Sequence, residues 1–395
     1  MCFACLALIV VGCATTTSPS VQLPSGNPSS SPTSSASPAP SATTHADCAS
    51  QTLASLTDVQ RVGQVLMIGL TKDVLDDAER DGISRFHFGS VAYTTRASAG
   101  VVAVRATADA VQAEATEAAT GGVRFFIAAN QEGGLIQALQ GPGFDTIPSG
   151  LGQGAISPTD LEPMAAQWGR QLLAAGINLD FAPVADVVPP GTDAQNAPIG
   201  QLEREYGPDP ATVSSHVAAF VAGMQEAGVA TTVKHFPGLG RVAGNTDATA
   251  DVVDSVTTRN DPYLEPFATA IRAGVPFVMV SLATYEEIDA AHLAVFSPFV
   301  IEGILRSDLG FRGVVISDAL GATAVASIPS GTRAIDFLQA GGDMIIINQL
   351  APAIEMAQAL ASQAATDASF RDRVDDAARH VLQAKDVAGL LPCSD

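Results

Sequence analysis

Four clusters of polar residues follow directly after short apolar runs, and they contain side chains that carry out acid–base and nucleophilic chemistry. The clusters are Asn130-Gln131-Glu132, Asp180 with Asp186, Lys234-His235, and Ser317-Asp318. A carboxylate can attack an electrophilic carbon or move a proton, and lysine and histidine can hold a polar substrate. Polar clusters at the ends of several apolar runs are explained if all of them face a common site, so the pattern indicates one shared pocket.

The elements that must position these clusters are β-rich apolar runs that alternate with longer Ala-rich amphipathic stretches. Eight strands are predicted, at residues 64–70, 90–94, 124–130, 178–183, 231–236, 277–281, 313–318 and 344–348. Helices are predicted at residues 99–119, 163–175, 210–227, 261–273, 332–340, 352–366 and 369–387. This alternation predicts an α/β fold, a single (β/α)₈ barrel of the TIM type, whose chemistry lies at the C-terminal ends of the strands. A doubly wound open sheet is the alternative.

Five segments of the chain together resemble glycoside hydrolase family 3, and specifically its β-N-acetylglucosaminidase branch. They occur in the family's order and span most of residues 53 to 388. They are Asn130–Gly134 (NQEGG), residues 176–186 (GINLDFAPVAD), residues 204–207 (REYG), residues 234–240 (KHFPGLG) and residues 309–318 (LGFRGVVISD). The resemblance implies that residues 49–395 are the barrel domain of this family.

The resemblance also implies roles for individual residues. Enzymes of this kind retain the anomeric configuration and need a nucleophilic carboxylate, which would be Asp318, and a proton donor. The substrate-binding residues implied by the family are Asn130, Asp180, Arg204, Lys234 and His235. For Asp180, a structural role is an equal alternative to substrate binding. The implied reaction releases terminal β-linked N-acetylhexosamine from cell-wall fragments or glycans, and it needs no cofactor.

The segment that carries the family's acid/base departs from the family pattern. Where the family has Asp-Ser-His, this chain has Asn245-Thr246-Asp247. A carboxyl group can act as the general acid if its pKa is raised, so Asp247 is the candidate acid/base and Asp251 a substitute. Asn130 stands where the family has aspartate, and Leu135 and Ala138 stand where it has arginines. These changes predict altered or weaker sugar binding.

The sequence leaves two alternative functions open. The altered acid/base segment favours a catalytically degenerate barrel that binds glycans or cell wall without turnover. A hydrolase of another β-glycoside, such as a β-glucoside, is the other alternative. Family members that act on glucosides commonly carry a second domain that supplies the acid/base, and this chain ends at Asp395, just after the predicted barrel.

The charge of the chain limits its partners. The 395 residues include 20 basic and 41 acidic side chains, for a formal net charge of −21. This argues against nucleic acid or anionic lipid as the main partner, because phosphates need a basic surface. A neutral carbohydrate is compatible with it. No Cys/His cluster has metal-ligand spacing, so no metal site is expected, and the protein is expected to be a monomer.

The N-terminus resembles an export signal. Residues 3–11 form an apolar run too short to span a bilayer, and it ends in Val10-Val11-Gly12-Cys13, which resembles a bacterial lipobox. This implies a signal peptide at residues 1–13, a lipid on Cys13, and attachment to the outer face of the cytoplasmic membrane, or secretion. No Lys or Arg precedes Arg61, so an apolar stub with a chance cysteine is the alternative.

A tether and a disulfide are predicted around the folded domain. Residues 14–48 are rich in Ser, Thr, Pro and Ala, a composition typical of a flexible linker. Cys48 and Cys393 are the cysteines that remain beyond Cys13. They lie at the two ends of the domain, and a closed barrel brings its ends together, so an oxidising compartment would favour a Cys48–Cys393 disulfide.

Overall fold

The computed structural model describes residues 47–393, and these residues form one parallel (β/α)₈ barrel. Its strands are β1 (Leu66–Leu70), β2 (Ser90–Tyr93), β3 (Phe126–Ala129), β4 (Leu179–Asp180), β5 (Ala230–Phe236), β6 (Phe277–Val280), β7 (Val314–Ser317) and β8 (Ile345–Ile347). Each pairs with its neighbours in the order β7-β6-β5-β4-β3-β2-β1-β8. A parallel bridge between Ile316 and Met344 closes the ring. The predicted barrel is confirmed, and the open sheet is wrong.

Apolar side chains fill the interior of the barrel. Along each strand they alternate with residues that face the helices, as the two-residue period of a strand requires. The inward set includes Met67, Phe126, Phe277 and Ile316. The rings of Phe126 and Phe277 meet edge to face with their centroids 5.3 Å apart. Because the interior is packed, polar groups gather at the two ends of the barrel.

Helices surround the strands. They are α1 (Cys48–Ser55), α2 (Asp58–Gln64), α3 (Asp77–Phe86), α4 (Val101–Gln112), α5 (Glu117–Thr120), α6 (Gly150–Gly154), α7 (Pro158–Ala174), α8 (Pro210–Ala227), α9 (Glu265–Arg272), α10 (Glu286–Asp289), α11 (Ser330–Gln339), α12 (Leu350–Thr366) and α13 (Ala368–Val387). A π-helix spans Phe299–Asp308. The helices α1, α2, α3, α6 and α10 and the π-helix lie outside the predicted helical ranges.

Several predicted boundaries differ from the structure, and three of these differences have clear local reasons. The helix predicted at residues 99–119 ends at Gln112, and Thr116 then caps the separate α5 by accepting a hydrogen bond from Ala119 N. The helix predicted from residue 163 begins at Pro158, because Ser157 is its N-cap and proline suits the first turn. The strand predicted at 178–183 is shorter in the structure and spans Leu179–Asp180. Pro183 has no N–H to donate to a neighbouring strand, so the ladder does not extend through it.

At the N-terminal end of the strands, α13 packs against the barrel interior. Lys385 is fully buried there, and its Nζ donates to Gln64 Oε1 (2.8 Å) and Gly89 O (2.7 Å). Burial lowers the pKa of Lys385 to about 7.

Cys48, at the start of α1, and Cys393, which follows α13, form a disulfide with their Cα atoms 5.8 Å apart. This bond joins the two ends of the domain.

Loops and short strands surround the C-terminal end of the barrel. A hairpin of Gln131–Gly133 and Ile136–Gln137 follows β3. A small sheet contains Val253–Asp254, Thr284–Tyr285 and Ala290–Leu293.

Within residues 47–393, no helix is both long and apolar enough to cross a membrane. The predicted signal peptide, the lipid site Cys13 and all but the last two residues of the predicted linker lie outside the described residues.

Candidate active site

One pocket opens at the C-terminal ends of the strands and encloses about 270 Å³. Six of the predicted site residues line it, namely Asn130, Arg204, Lys234, His235, Asp247 and Asp318. The other lining residues are Tyr93, Thr94, Ile136, Phe181, Pro198, Leu202, Leu239, Asn245, Thr246, Met279, Ala319, Ile346 and Asn348. The fold thus brings together side chains from strand ends and loops that are far apart in sequence, as the barrel architecture requires.

Asp318 is the first residue after β7. Its amide N donates to Val280 O on the adjacent strand β6 (2.9 Å), and its carboxylate Oδ1 accepts from Ala319 N (2.7 Å). The preceding Ser317 is buried, and its hydroxyl accepts from Ile346 N in β8 (3.0 Å). Strand pairing on both sides of β7 therefore fixes where the Asp318 carboxylate enters the pocket.

A buried ionic network centred on Glu132 lies beside the pocket. Arg204 binds both carboxylate oxygens, with Nε to Oε2 and Nη2 to Oε1 at 2.8 Å each, and Lys234 Nζ lies 2.5 Å from Oε1. Burial alone would raise the pKa of Glu132, but the positive charges of Arg204 and Lys234 outweigh burial and lower it to about 2. Burial lowers the pKa of Lys234, and the charge of Glu132 opposes that shift. Glu132 therefore stays ionised and fixes both cations.

The glycines after Glu132 allow this placement. Gly133 has a φ of +107°, and a Cβ there would lie 2.1 Å from Pro148 O. Only glycine adopts this backbone conformation at such a close approach without strain. The backbone of Arg204 also packs closely against a glycine, because a Cβ on Gly150 would lie 2.1 Å from Arg204 O. The Gln-Glu-Gly-Gly sequence is thus a turn that presents the Glu132 carboxylate to Arg204.

Asn130 also contacts Lys234. The Nζ of Lys234 donates to Asn130 Oδ1 over 2.7 Å. An amide has only one oxygen, so this contact leaves the Asn130 side chain with its NH₂ group as a donor toward the pocket that it lines. An aspartate here would offer a second acceptor and a negative charge instead. The substitution noted in the sequence therefore changes the chemistry of the pocket wall.

His235 is held in one tautomer. Its Nδ1 lies 2.7 Å from Oδ2 of the fully buried Asp186, and its Nε2 lies 3.3 Å from Arg204 Nη2. Because arginine only donates, Nε2 must accept and Nδ1 must carry the proton that is donated to Asp186. Asp186 Oδ1 also accepts from Leu239 N (2.7 Å). In this arrangement Asp186 holds the Nδ1 side of the ring, and the Nε2 of His235 faces Arg204.

Asp247 lies at the exposed rim of the pocket. Its amide N donates to Asn245 Oδ1 (3.0 Å), so Asn245 stabilises the turn that carries it. Partial burial of the carboxyl and the nearby charge of Asp318 raise the pKa of Asp247, and His235, Arg204 and Lys234 oppose this shift. Asp251, the substitute candidate, does not line the pocket. Among the two, the geometry favours Asp247.

Asp180 does not line the pocket, although it was a predicted binding residue. It is fully buried, and its Oδ1 accepts from Gln131 N (3.0 Å) while its Oδ2 has no hydrogen-bond partner. Burial raises its pKa to about 7. This placement favours the structural role that the sequence left open, in which Asp180 anchors the start of the hairpin that carries Glu132.

Glu132 and Asp186 belong to the polar clusters for which the sequence predicts a shared pocket, but the residue pattern predicts no role for either of them. The available signal was their position just after predicted strands. What they do depends on partners far away in the chain, so the pattern could not reveal it. Within the part of the chain that the structure describes, no three His, Cys, Asp or Glu side chains are grouped so as to hold a metal ion.

Comparison with known proteins identifies the family. Residues 57–384 match the Glycosyl hydrolase family 3 N terminal domain. The chain is 33% identical to a β-hexosaminidase of Stenotrophomonas maltophilia over 297 residues, which cover 72% of this chain and 83% of that protein. It is 31% identical to a β-hexosaminidase of Xanthomonas campestris pv. campestris over 318 residues, which cover 78% and 91% of the two chains.

Solved structures agree with the sequence relatives. The crystal structure of a β-N-acetylhexosaminidase from Beutenbergia cavernae superposes with a TM-score of 0.82 and 46% sequence identity, covering 84% of this chain and 98% of that one. A family 3 β-N-acetylglucosaminidase from a Paenibacillus species gives a TM-score of 0.76 at 30% identity, over 85% of this chain and 63% of that one. The resemblance that the sequence motifs indicated is confirmed: this chain belongs to glycoside hydrolase family 3.

Proposed function

We propose that this protein is a retaining β-N-acetylhexosaminidase that releases terminal N-acetylglucosamine from β-linked glycans or cell-wall fragments. One observation carries the proposal. Asp318 and Asp247 line the same pocket as the fixed cations Arg204 and Lys234. Such a pair of carboxyl groups is what a retaining glycosidase requires. The names of the related hexosaminidases support the choice of sugar.

In the first step, a carboxylate oxygen of Asp318 attacks the anomeric carbon while the bond from that carbon to the leaving oxygen breaks. The carboxyl proton of Asp247 passes to the leaving oxygen, which departs as an alcohol. The sugar is then held as an ester of Asp318. A raised pKa keeps more of Asp247 protonated near neutral pH than an ordinary aspartate would be, which suits this role.

In the second step, water attacks the anomeric carbon of the ester. Asp247, now a carboxylate, accepts a proton from that water as its oxygen bonds to the carbon. The bond to Asp318 breaks and restores the free carboxylate. Two displacements at one carbon leave the anomeric configuration unchanged.

The remaining pocket residues hold the sugar. Arg204 and Lys234 retain N–H groups beyond those used by Glu132, and Asn130 adds an amide donor, so hydroxyl oxygens of the sugar can accept from all three. A volume of about 270 Å³ lies just below the usual range for ligand pockets, roughly 300–1,000 Å³. This size favours a single ring and hence removal of a terminal residue.

The deciding experiment compares chromogenic substrates. We expect the full protein to hydrolyse 4-nitrophenyl β-N-acetylglucosaminide with a much higher kcat/KM than 4-nitrophenyl β-glucoside. Nuclear magnetic resonance of the first product should show the β anomer. A preference for the glucoside would favour the other hydrolase, and binding of N-acetylglucosamine without turnover of either substrate would favour the degenerate barrel.

We also propose that the protein acts as a monomer outside the cytoplasmic membrane, lipid-anchored through Cys13 or secreted. The lipobox-like sequence before Cys13 and the linker-like composition that follows it support this. The Cys48–Cys393 disulfide suits an oxidising compartment. Labelling of the full chain with a radioactive fatty acid in a bacterial host tests the anchor. Incorporation should be lost in Cys13→Ala, and labelling that persists in this variant would exclude Cys13.

A further inference from the structure

The segment that carries Asp247 is hydrogen-bonded to the turn that follows Asp318. The hydroxyl of Thr323 donates to Asp247 O over 2.8 Å, and the amide N of Thr323 lies 3.4 Å from the same oxygen. The next amide, Ala324 N, donates to Thr246 O over 3.1 Å. Residues 246–247 and 323–324 therefore lie side by side, although 76 positions separate Thr323 from Asp247.

The Asp247 side of this contact is a compact turn. Asn245 Oδ1 accepts from Asp247 N, and Asn245 O accepts from Ala248 N (3.0 Å) and Thr249 N (2.8 Å). Thr246 is only 2% exposed, whereas Asp247 is exposed. The turn thus has a fixed internal shape, but Asp247 itself has little packing to hold it. The Thr323 hydroxyl is the side chain that donates to the backbone of Asp247 from outside the turn.

The Thr323 side of the contact is rigid. Thr323 begins a short 3₁₀ turn, Thr323–Val325. The guanidinium of the buried Arg333 donates to three carbonyl oxygens around this turn, those of Leu320 (2.6 Å), Ala326 (3.2 Å) and Ile328 (2.6 Å). Leu320 N in turn donates to Ile346 O in β8 (2.9 Å). The turn is consequently fixed to the barrel wall and can serve as a support.

We propose that Thr323 is a positioning residue that holds Asp247 over the pocket, so that the acid/base and the nucleophile are fixed to one rigid turn. This inference rests on the proposed function, in which Asp247 supplies the proton. Catalytic groups held in place lose less entropy in the transition state, and a displacement of 1 Å can cost about 100-fold in rate. Without the hydroxyl, Asp247 would spend more time away from the pocket and in water.

The experiment compares three variants of the full protein. Thr323→Val removes the hydroxyl and keeps the branched shape, and Thr323→Ser restores the hydroxyl. Thr192→Val is the matched control, because the Thr192 hydroxyl also donates to a backbone carbonyl, that of Pro189 (2.7 Å), in another loop at the same end of the barrel. Thr192 does not line the catalytic pocket.

Kinetics should separate positioning from general damage. For N,N′-diacetylchitobiose, whose sugar leaving group needs a proton, we expect Thr323→Val to lower kcat/KM by roughly 10- to 100-fold. For the activated 2,4-dinitrophenyl β-N-acetylglucosaminide the loss should stay below about 3-fold, because that leaving group hardly needs a proton. The alkaline limb of the pH profile should move to lower pH, since a more hydrated Asp247 loses its proton more easily. Thr323→Ser and Thr192→Val should resemble the wild type.

A structural measurement makes the test independent of activity. In Thr323→Val, hydrogen exchange of the Ala324 and Asp247 amides should quicken, while exchange in the barrel strands stays unchanged. Equal losses on both substrates, or a Thr323→Val profile that matches Thr192→Val, would overturn the role of Thr323. If the wild type hydrolysed neither substrate, the proposed function itself would fail, and faster exchange would still report whether Thr323 holds the turn.

Discussion

Glu132 and Arg204 form a two-point ion pair next to the catalytic pocket, with both nitrogen–oxygen distances at 2.8 Å. Their side chains are only 5% and 12% exposed. Arg204 also donates to Pro198 O (2.8 Å), so its guanidinium is fixed on two sides. The same carboxylate holds Lys234. One buried anion thus orients both cations that line the sugar pocket, without lining that pocket itself.

Replacement of Glu132 by glutamine should weaken both folding and binding. Glu132→Gln leaves Arg204 and Lys234 without their shared counter-ion, and loss of one member of a buried ion pair costs about 3–5 kcal/mol. We expect the free energy of unfolding to fall by about 3–5 kcal/mol. We also expect KM to rise, because Arg204 and Lys234 line the pocket. The control is Glu265→Gln, which breaks the exposed pair with Arg272 and should cost about 1 kcal/mol or less. Equal effects from the two variants would argue against the network.

Replacement of Asp318 should abolish turnover while the fold is kept. Asp318→Asn preserves the side-chain shape but removes the attacking charge, so kcat should fall by several orders of magnitude, as when other essential groups are removed. Asp145→Asn, at an exposed position outside the pocket, should keep wild-type activity. Thermal unfolding of both variants checks their folding. Turnover by Asp318→Asn close to that of the wild type would end its assignment as the nucleophile.

Replacement of Asp247 should affect substrates according to their leaving group. Asp247→Ala removes the proton donor, so hydrolysis of diacetylchitobiose should slow severely, and formation of the glycosyl ester from a dinitrophenyl glycoside much less. Azide needs no general base, so it should partly restore turnover of the activated substrate and give a glycosyl azide. Asp251→Asn, in the same loop, should leave both rates unchanged. Equal losses on both substrates without azide rescue would count against Asp247.

Asp180 should make stability fall as pH rises. Its folded-state pKa of about 7 lies above the ordinary value of 3.8, so the folded state binds the proton more tightly than the unfolded state. The stability contributed by the protonated group is full below about pH 4 and is lost as pH rises through 7. Asp180→Asn stays neutral, so its unfolding free energy should lose this component of pH dependence with KM unchanged. A large rise in KM would instead support a binding role.

The Cys48–Cys393 disulfide should stabilise the domain through the unfolded chain. It closes a loop across a sequence separation of 345, and the chain-entropy model then gives an upper figure of roughly 5–6 kcal/mol. The variant with both cysteines changed to serine should therefore unfold at a lower denaturant concentration, while kcat stays near the wild-type value because the bond lies at the opposite end of the barrel. An unchanged midpoint would show that the bond adds no stability.

The amino-acid sequence alone determined the features that depend on neighbouring residues. Alternating apolar runs and amphipathic stretches predicted the parallel barrel, because strand and helix periods are local properties of the chain. Asp318 and Lys234-His235 could be placed in the site since each directly follows or ends a strand, and parallel strands bring such ends to one face. Helix boundaries were less accurate where a capping residue, such as Ser157, began the helix before the predicted start.

Only the tertiary structure decided which groups meet across the barrel. Glu132 pairs with Arg204 over a separation of 72 positions, Asp186 binds His235 over 49, and Thr323 reaches Asp247 over 76. These contacts depend on strand register and on the paths of the loops after the strands, which the pattern of residue types does not encode locally. For the same reason Asp180, a plausible ligand by its position at a strand end, proved to be buried behind the pocket wall, where it binds Gln131 N.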